Sequence, residues 1–271
     1  MTSHPHPRRS YVRDFREECD DIAALLDAQP ESVFARTTQF KDWTVGDIIR
    51  HIHVFNLAAF WSLTDPAKFQ SFILPAMGEI AKHGHVGFHR AYFSDQTDAQ
   101  VYAAWSEFLP EMLAAFRDAD PDARVEWAGP PMSVQSSLIA RQMEHWAHAQ
   151  AIYDVLGAVR VNTDRLYWIA ELGVRTYSWS HKVRGEAPPR PKPYVELNAP
   201  SGAVWRWNDP QEENSVRGSA VGFAQTVTQC RNWRDTSLTC IGETAMHWMK
   251  TAQCFAGAPE TPPEIGERSI K

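Results

Sequence analysis

Apolar residues recur at helical spacing through most of the first 157 positions and give way to short alternating runs beyond Gly157. Residues 11–29 (YVRDFREECDDIAALLDAQ) put apolar side chains on one face and acids on another, which predicts an amphipathic helix. Residues 42–63 open with Thr44 and Asp47 at the spacing of a capping box. Trp43 precedes that cap in the position of a hydrophobic staple. Residues 98–119 form a third amphipathic segment, in which Pro110 is expected to kink or break the helix. Residues 133–157 form a fourth, with Ser133 as cap and Gly157 as stop. The intervening stretch 64–97 reads as a long connection. The pattern is that of a four-helix bundle with one extended crossover.

Beyond Gly157 one further helix is expected over 164–182, followed by a stiff proline-rich connector at 184–193. YVELNA, AVWRWN and NSVRGS read as short strands, the second following the turn APSG. SAVGFAQTVTQCR and GETAMHWMKTAQCFAG read as two helices, the latter ending at Gly257. The tail from residue 258 is expected to be extended and poorly packed. This is an α+β pattern, with a helical bundle over 1–160 and a smaller α+β domain over 161–271. There are no internal repeats.

Composition narrows the function classes. The chain has 271 residues, 44% hydrophobic and 22% charged, which suits a globular protein with a sizeable core. A net charge of −6, with no Lys/Arg cluster, argues against nucleic-acid binding. The opening run HPHPRRS is too short and polar for a signal peptide, and no apolar run reaches membrane-spanning length. A cytoplasmic protein is expected. Cys19, Cys230, Cys240 and Cys254 form no C-x-x-C pair, and their surroundings suit inert buried thiols better than a nucleophile. The eleven tryptophans suit aromatic-lined cavities as well as core.

The unusual chemistry lies in RQMEHWAHAQ, where Glu144 and His148 stand four residues apart on one helix face. Such a pair can supply two ligands to one metal ion, with a third from a neighbouring helix. His51 and His53 are the candidates, about 200° apart on the helical wheel, and periodicity does not choose between them. His145 lies about 100° off the Glu144–His148 face and is not expected to be a ligand. A hydrogen-bonded core histidine and a plain Glu–His contact are the competing structural explanations. HGHVGFH places His83, His85 and His89 in a glycine-containing stretch that could bind metal, form a flexible polar loop or lie over the bundle mouth.

DWTVGDIIRHI, followed about ninety residues later by RQMEHWAHAQAIYDVLG, resembles the DinB-like metal-binding superfamily, in its mycothiol-dependent maleylpyruvate isomerase branch. The first motif of that branch maps onto Trp43, Asp47 and His51, which favours His51 over His53. The second maps onto Glu144, His148 and Asp154. The segments VRGSAVGFAQTVTQCR and DTSLTCIGETAMHWMKTAQCFAG resemble the small C-terminal α+β domain that accompanies this bundle. The resemblance implies a divalent metal held by His51, Glu144 and His148, most naturally Zn²⁺, with Fe²⁺ or Ni²⁺ also suited to two histidines and a carboxylate. It further implies a low-molecular-weight thiol as cosubstrate, activated for isomerisation or S-transfer on a small organic acid or electrophile. Arg231 matches a position where the branch keeps a substrate-binding arginine. Arg217 reads as a surface guanidinium, and Arg141 either supports the Glu144 carboxylate or forms an intrahelical salt bridge. Two other functions compete: a metal-dependent hydrolase or hydratase with metal-bound water as nucleophile, and a non-catalytic metal- or ligand-binding protein. The sequence leaves the substrate, the thiol, the metal and the oligomeric state open.

Overall fold

The computed structural model describes residues 10–269, so most of the HPHPRRS run lies outside the described residues. The chain divides into two compact units between Ala149 and Gln150. The first unit is built from α1 (Tyr11–Asp27), α2 (Val45–Thr64), α3 (Pro66–Tyr92), α4 (Asp98–Asp118) and most of α5 (Val134–Leu156). A two-residue hairpin, β1 (Arg124–Val125) with β2 (Met132–Ser133), precedes α5. The capping box at Thr44 and Asp47 forms as expected, and Thr97 with Gln100 makes a second one at the start of α4. Ser10 caps α1, and Gly157 follows α5 with φ 66°.

α2 is the central element, packing against both α3 and α4. Its Ile48, Ile49, Ile52, Val54, Ala58 and Ala59 are buried, so it presents apolar side chains almost all round. Each fully buried large aliphatic contributes roughly 1.5–3 kcal/mol. A Cβ at Gly46 would meet the carboxylate of Asp98, which pairs with Arg50, so that side chain would have to shift.

The segment 64–97 is not a loop. It holds α3, two helical segments that meet at a kink at Gly84. Pro66 occupies the first turn, where its missing N–H is harmless, and the Asp65 carboxylate accepts the Lys68 N–H. Phe69, Ile73 and Ala76 bury one face and outweigh the poor propensity of Pro75 and the glycines. Gly84 (φ 69°, ψ 172°) breaks the helix, so residues 85–92 run in a new direction. Pro110 does not end α4, which continues through it.

The second unit carries α6 (Tyr167–Arg175), α7 (Tyr177–Lys182), α8 (Ala220–Val227), α9 (Glu243–Thr251) and a four-stranded mixed sheet. Its strands are β3 (Tyr194–Asn198), β4 (Val204–Trp207), β5 (Ser215–Ser219) and β6 (Thr239–Ile241), in the order β4-β3-β5-β6. β3 and β5 are parallel, and the other pairs are antiparallel. The helix expected over 164–182 is divided at Thr176, β6 was not anticipated, and α9 stops at Thr251 rather than Gly257. Val195, Leu197 and Val216 of the sheet are buried with Phe223, Tyr177 and Trp248 of the helices.

The tail is better anchored than its composition suggests. Arg184 and Gln229 donate to the Glu260 carbonyl, Asn232 donates to Pro263 O, and Arg268 donates to Gln229 O. No helix among the described residues is long and apolar enough to cross a membrane.

Candidate metal centre

The capping box fixes where α2 starts, and His51 follows one turn after Asp47 on the buried side. Asp47 also receives a bidentate pair from Arg90 of α3, at 2.7 and 2.8 Å. The acid of the first motif therefore starts α2 and ties the segment beyond Gly84 to it. α5 brings Glu144 and His148 to the same place. The Glu144 Oε2 lies 3.3 Å from His148 Nε2 and 3.6 Å from His51 Nε2. With bonds of roughly 2.0–2.1 Å, a tetrahedral ion separates its ligand atoms by about 3.3–3.4 Å, so this spacing suits an ion among the three.

Aromatic rings wall the cluster. Trp43 stacks on His148 with centroids 5.6 Å apart, Phe40 meets His148 edge-on, and Phe55 packs against His51. Burial, and then the neighbouring His148, holds the His51 imidazole neutral well below its ordinary range. Burial would raise the Glu144 carboxyl, but hydrogen bonds and charge from His148 and His51 hold it well below the usual carboxylate range. A neutral imidazole and an ionised carboxylate are the protonation states a metal requires.

Two histidines from the 83–89 stretch join the cluster. His89 lies 4.9 Å from His51 and His85 5.5 Å from it, centroid to centroid, and these three residues form a second group able to hold an ion. His89 is fully buried, and neither of its ring nitrogens has a hydrogen-bond partner. Burial, followed by His85 and His148, pushes its pKa down to about 3. The Nδ1 atoms of His51 and His148 are also buried without partners. Such orphaned nitrogens are uncommon in interiors and fit a site built for a further group. His83 stays out, exposed beside Glu79. The signal for His85 and His89 was their i,i+4 spacing, obscured by the glycines around them.

The other candidates are placed elsewhere. His53 stacks on Phe93 instead of facing His51. Trp105 donates to His145 Nε2, and because indole only donates, the His145 proton sits on Nδ1 and goes to the Arg141 carbonyl. His145 is thus a hydrogen-bonded core histidine. Arg141 donates to Asn56 Oδ1 and the Ile52 carbonyl, bracing α5 against α2. Arg217 lies 3.5 Å from Glu196 and over the Tyr194 ring. In the second unit Arg231 is buried and donates to Asp154 at 2.6 Å, so these two motif residues are partners of each other.

The described chain thus pairs a helical unit, whose His51, Glu144 and His148 cluster could hold a metal ion, with a small α+β unit. Residues 15–153 match the mycothiol maleylpyruvate isomerase N-terminal domain, and the chain belongs to that family. Two uncharacterized proteins of Mycobacterium tuberculosis, from different strains, are each 35% identical over 254 residues, covering 92% of this chain and 96% of theirs. The crystal structure of the mycothiol-dependent maleylpyruvate isomerase superposes with a TM-score of 0.57 at 18% identity. A histidine-to-alanine mutant of that enzyme gives 0.59 at 17%. Each match covers 96% of this chain and 99% of the other, and shows a shared α+β fold.

Proposed function

We propose that this protein is an enzyme that holds a divalent metal through His51, Glu144 and His148 and uses a low-molecular-weight thiol as cosubstrate. The reaction is isomerisation or S-transfer on a small organic acid or electrophile. The observation that carries this reading is the ligand-like spacing of 3.3 and 3.6 Å around one Glu144 oxygen. Family membership makes it specific. A bound divalent cation supplies Lewis acidity that lets a coordinated thiol lose its proton near neutral pH. Zn²⁺ is the natural occupant, and Fe²⁺ or Ni²⁺ suit the same ligands.

The chain's own residues do the rest. Glu144 contributes charge, while His51 and His148 contribute neutral nitrogen lone pairs. Phe40, Trp43 and Phe55 exclude water from one side, which strengthens electrostatic interactions within the site. His85, exposed where His89 is buried, stands at the rim and is placed to meet an incoming ligand. In the second unit Arg231 lines a cleft of about 530 Å³ together with Arg160 and Arg268. Three guanidinium groups in one cleft suit a carboxylate-bearing cosubstrate or substrate.

The test is turnover of unsaturated organic acids and alkylating electrophiles by metal-loaded protein, with mycothiol, glutathione or bacillithiol added singly. Saturable dependence on one thiol is expected. Robust turnover without any thiol would overturn the reading and favour water as the nucleophile. Metal binding without turnover under any condition would favour a binding protein.

A further inference from the structure

The second unit contains another group of ligand-type residues, independent of the reading above. His181 on α7, Glu186 in the turn after it and His247 on α9 have ligand atoms within 4.8 Å of one another. One carboxylate oxygen, Glu186 Oε2, lies 3.0 Å from His181 Nδ1 and 2.7 Å from His247 Nε2. We propose that His181, Glu186 and His247 form a second divalent-metal site, of Zn²⁺ type, that ties α7 to α9.

Four observations support it. The residues come from two separate places in the chain, with His247 and Glu186 61 positions apart, yet both histidines meet a single carboxylate oxygen. The geometry is held by the backbone, since the Glu186 N–H donates to the His181 carbonyl. His181 is buried against Tyr177, so its ring is fixed, and its Nε2 has no hydrogen-bond partner. Glu186 and His247 are 38% and 45% exposed, which leaves an open side for entry and for water to complete the coordination.

The present distances are those of hydrogen bonds, so in the metal-free state the carboxylate accepts from two imidazole N–H groups. Zinc entry shifts each of those protons to the other nitrogen of its ring, so that Nδ1 of His181 and Nε2 of His247 become ligands while both imidazoles stay neutral. Each N···O distance then has to widen by a few tenths of an ångström toward the tetrahedral edge of about 3.3–3.4 Å. The exposed His247 and Glu186 side chains can make that adjustment. His181 keeps a proton on Nε2 when Nδ1 ligates. The nearest cation in sequence, Arg184, is engaged by the carbonyls of Ser180 and Glu260, and so does not occupy the carboxylate as a rival ligand. Two imidazoles and one carboxylate suit Zn²⁺ in preference to Ca²⁺ or Mg²⁺, which take oxygen ligands.

The experiment is metal stoichiometry in the full-length protein after loading with Zn²⁺ and gel filtration, read with thermal unfolding. The variant His51→Ala/His148→Ala removes ligands from both groups in the first unit. It should still retain about one equivalent of Zn²⁺, and Zn²⁺ should raise its Tm, because binding only the folded state stabilises it. Adding His247→Ala, or separately Glu186→Gln, should abolish both effects. These positions are partly exposed, so the variants are expected to fold, and circular dichroism checks that they do. Less than a fifth of an equivalent in the double variant overturns the second site. So does zinc that persists after His247→Ala and Glu186→Gln. Either result leaves the first site to be judged by the zinc that His51→Ala/His148→Ala removes from the parent protein.

Discussion

Trp43 lies flat against His148, with ring planes 8° from parallel and centroids 5.6 Å apart. The residue that precedes the α2 cap thus sets the tilt of an imidazole contributed by α5. Trp43→Phe should keep most metal affinity, because an aromatic face remains. Trp43→Ala should destabilise the protein by about 3–5 kcal/mol, the usual cost of deleting a buried indole. It should also weaken metal retention by freeing the His148 ring. Denaturant unfolding and metal analysis read the two effects separately.

Metal content should separate the ligand histidines from their neighbours. His51→Ala, Glu144→Ala and His148→Ala are each expected to lose most bound metal at the first site. His53→Ala should retain it, since His53 packs on Phe93 and Phe108 instead. Full occupancy in His51→Ala would reassign the site. The metal-free protein should remain folded, because α2 has a core of its own. For the same reason a chain ending near residue 160 should fold and bind metal.

The Arg90–Asp47 pair makes a pH-dependent prediction. Burial would raise the Asp47 carboxyl, but the Arg90 and Thr44 hydrogen bonds pull it below its ordinary 3.8. A depressed folded-state pKa contributes stability above 3.8, which is lost as pH falls through the lower folded value. Arg90→Ala should therefore cost about 1 kcal/mol at neutral pH, since the Arg90 side chain is exposed and solvent screens the pair. The gap between the two proteins should close as pH falls below 3.8. A gap that persists undiminished in acid would mean that Arg90 acts through packing alone.

Arg231 should behave first as a structural partner of Asp154. Arg231→Ala leaves a buried carboxylate unpaired and should cost about 3–5 kcal/mol in stability. Arg231→Lys keeps the charge but not the fork, and should fold better while raising KM for a carboxylate-bearing partner. Unchanged KM in a well-folded Arg231→Lys protein would remove this arginine from ligand binding.

The protein's own thiols should be bystanders. Burial pushes Cys240 up to about 12 and also raises Cys230. At pH 8 the Cys240 thiolate fraction is then about one part in ten thousand. Brief iodoacetamide treatment should leave activity dependent on added thiol to the same degree as before. Loss of activity matched by labelling at a cysteine would contradict this.

The sequence displayed α2 and α5 clearly because each carries its own punctuation: Thr44 and Asp47 at one start, Gly157 at one end. α3 was hidden because its stability comes from Phe69, Ile73 and Ala76 packing in the bundle, while Pro75, Gly78, Gly84 and Gly87 all read as loop. His85 and His89 stood out as a histidine-rich stretch, but with α3 unread their convergence on His51 was not visible. His51 could be separated from His53 only through family resemblance, since both side chains are buried in α2. β6 is three residues long and offers too few alternations to register. The His181–Glu186–His247 cluster needs tertiary folding to bring His247 to the His181–Glu186 turn 61 positions before it, which no local pattern encodes.

Gly84 has a consequence that concerns handedness rather than size. A Cβ built there meets nothing within 4 Å, so the position has room for a side chain. Its φ of 69° and ψ of 172° nevertheless belong to a region almost closed to L-residues. The mirror image of that conformation is ordinary extended backbone. A semisynthetic protein with D-alanine at this position should therefore keep the break and the placement of His85 and His89. L-alanine, with the same atoms, should straighten α3 or cost about 1–3 kcal/mol to bend. What residue 84 supplies to the site is a stereochemical permission, separable from the flexibility usually credited to glycine.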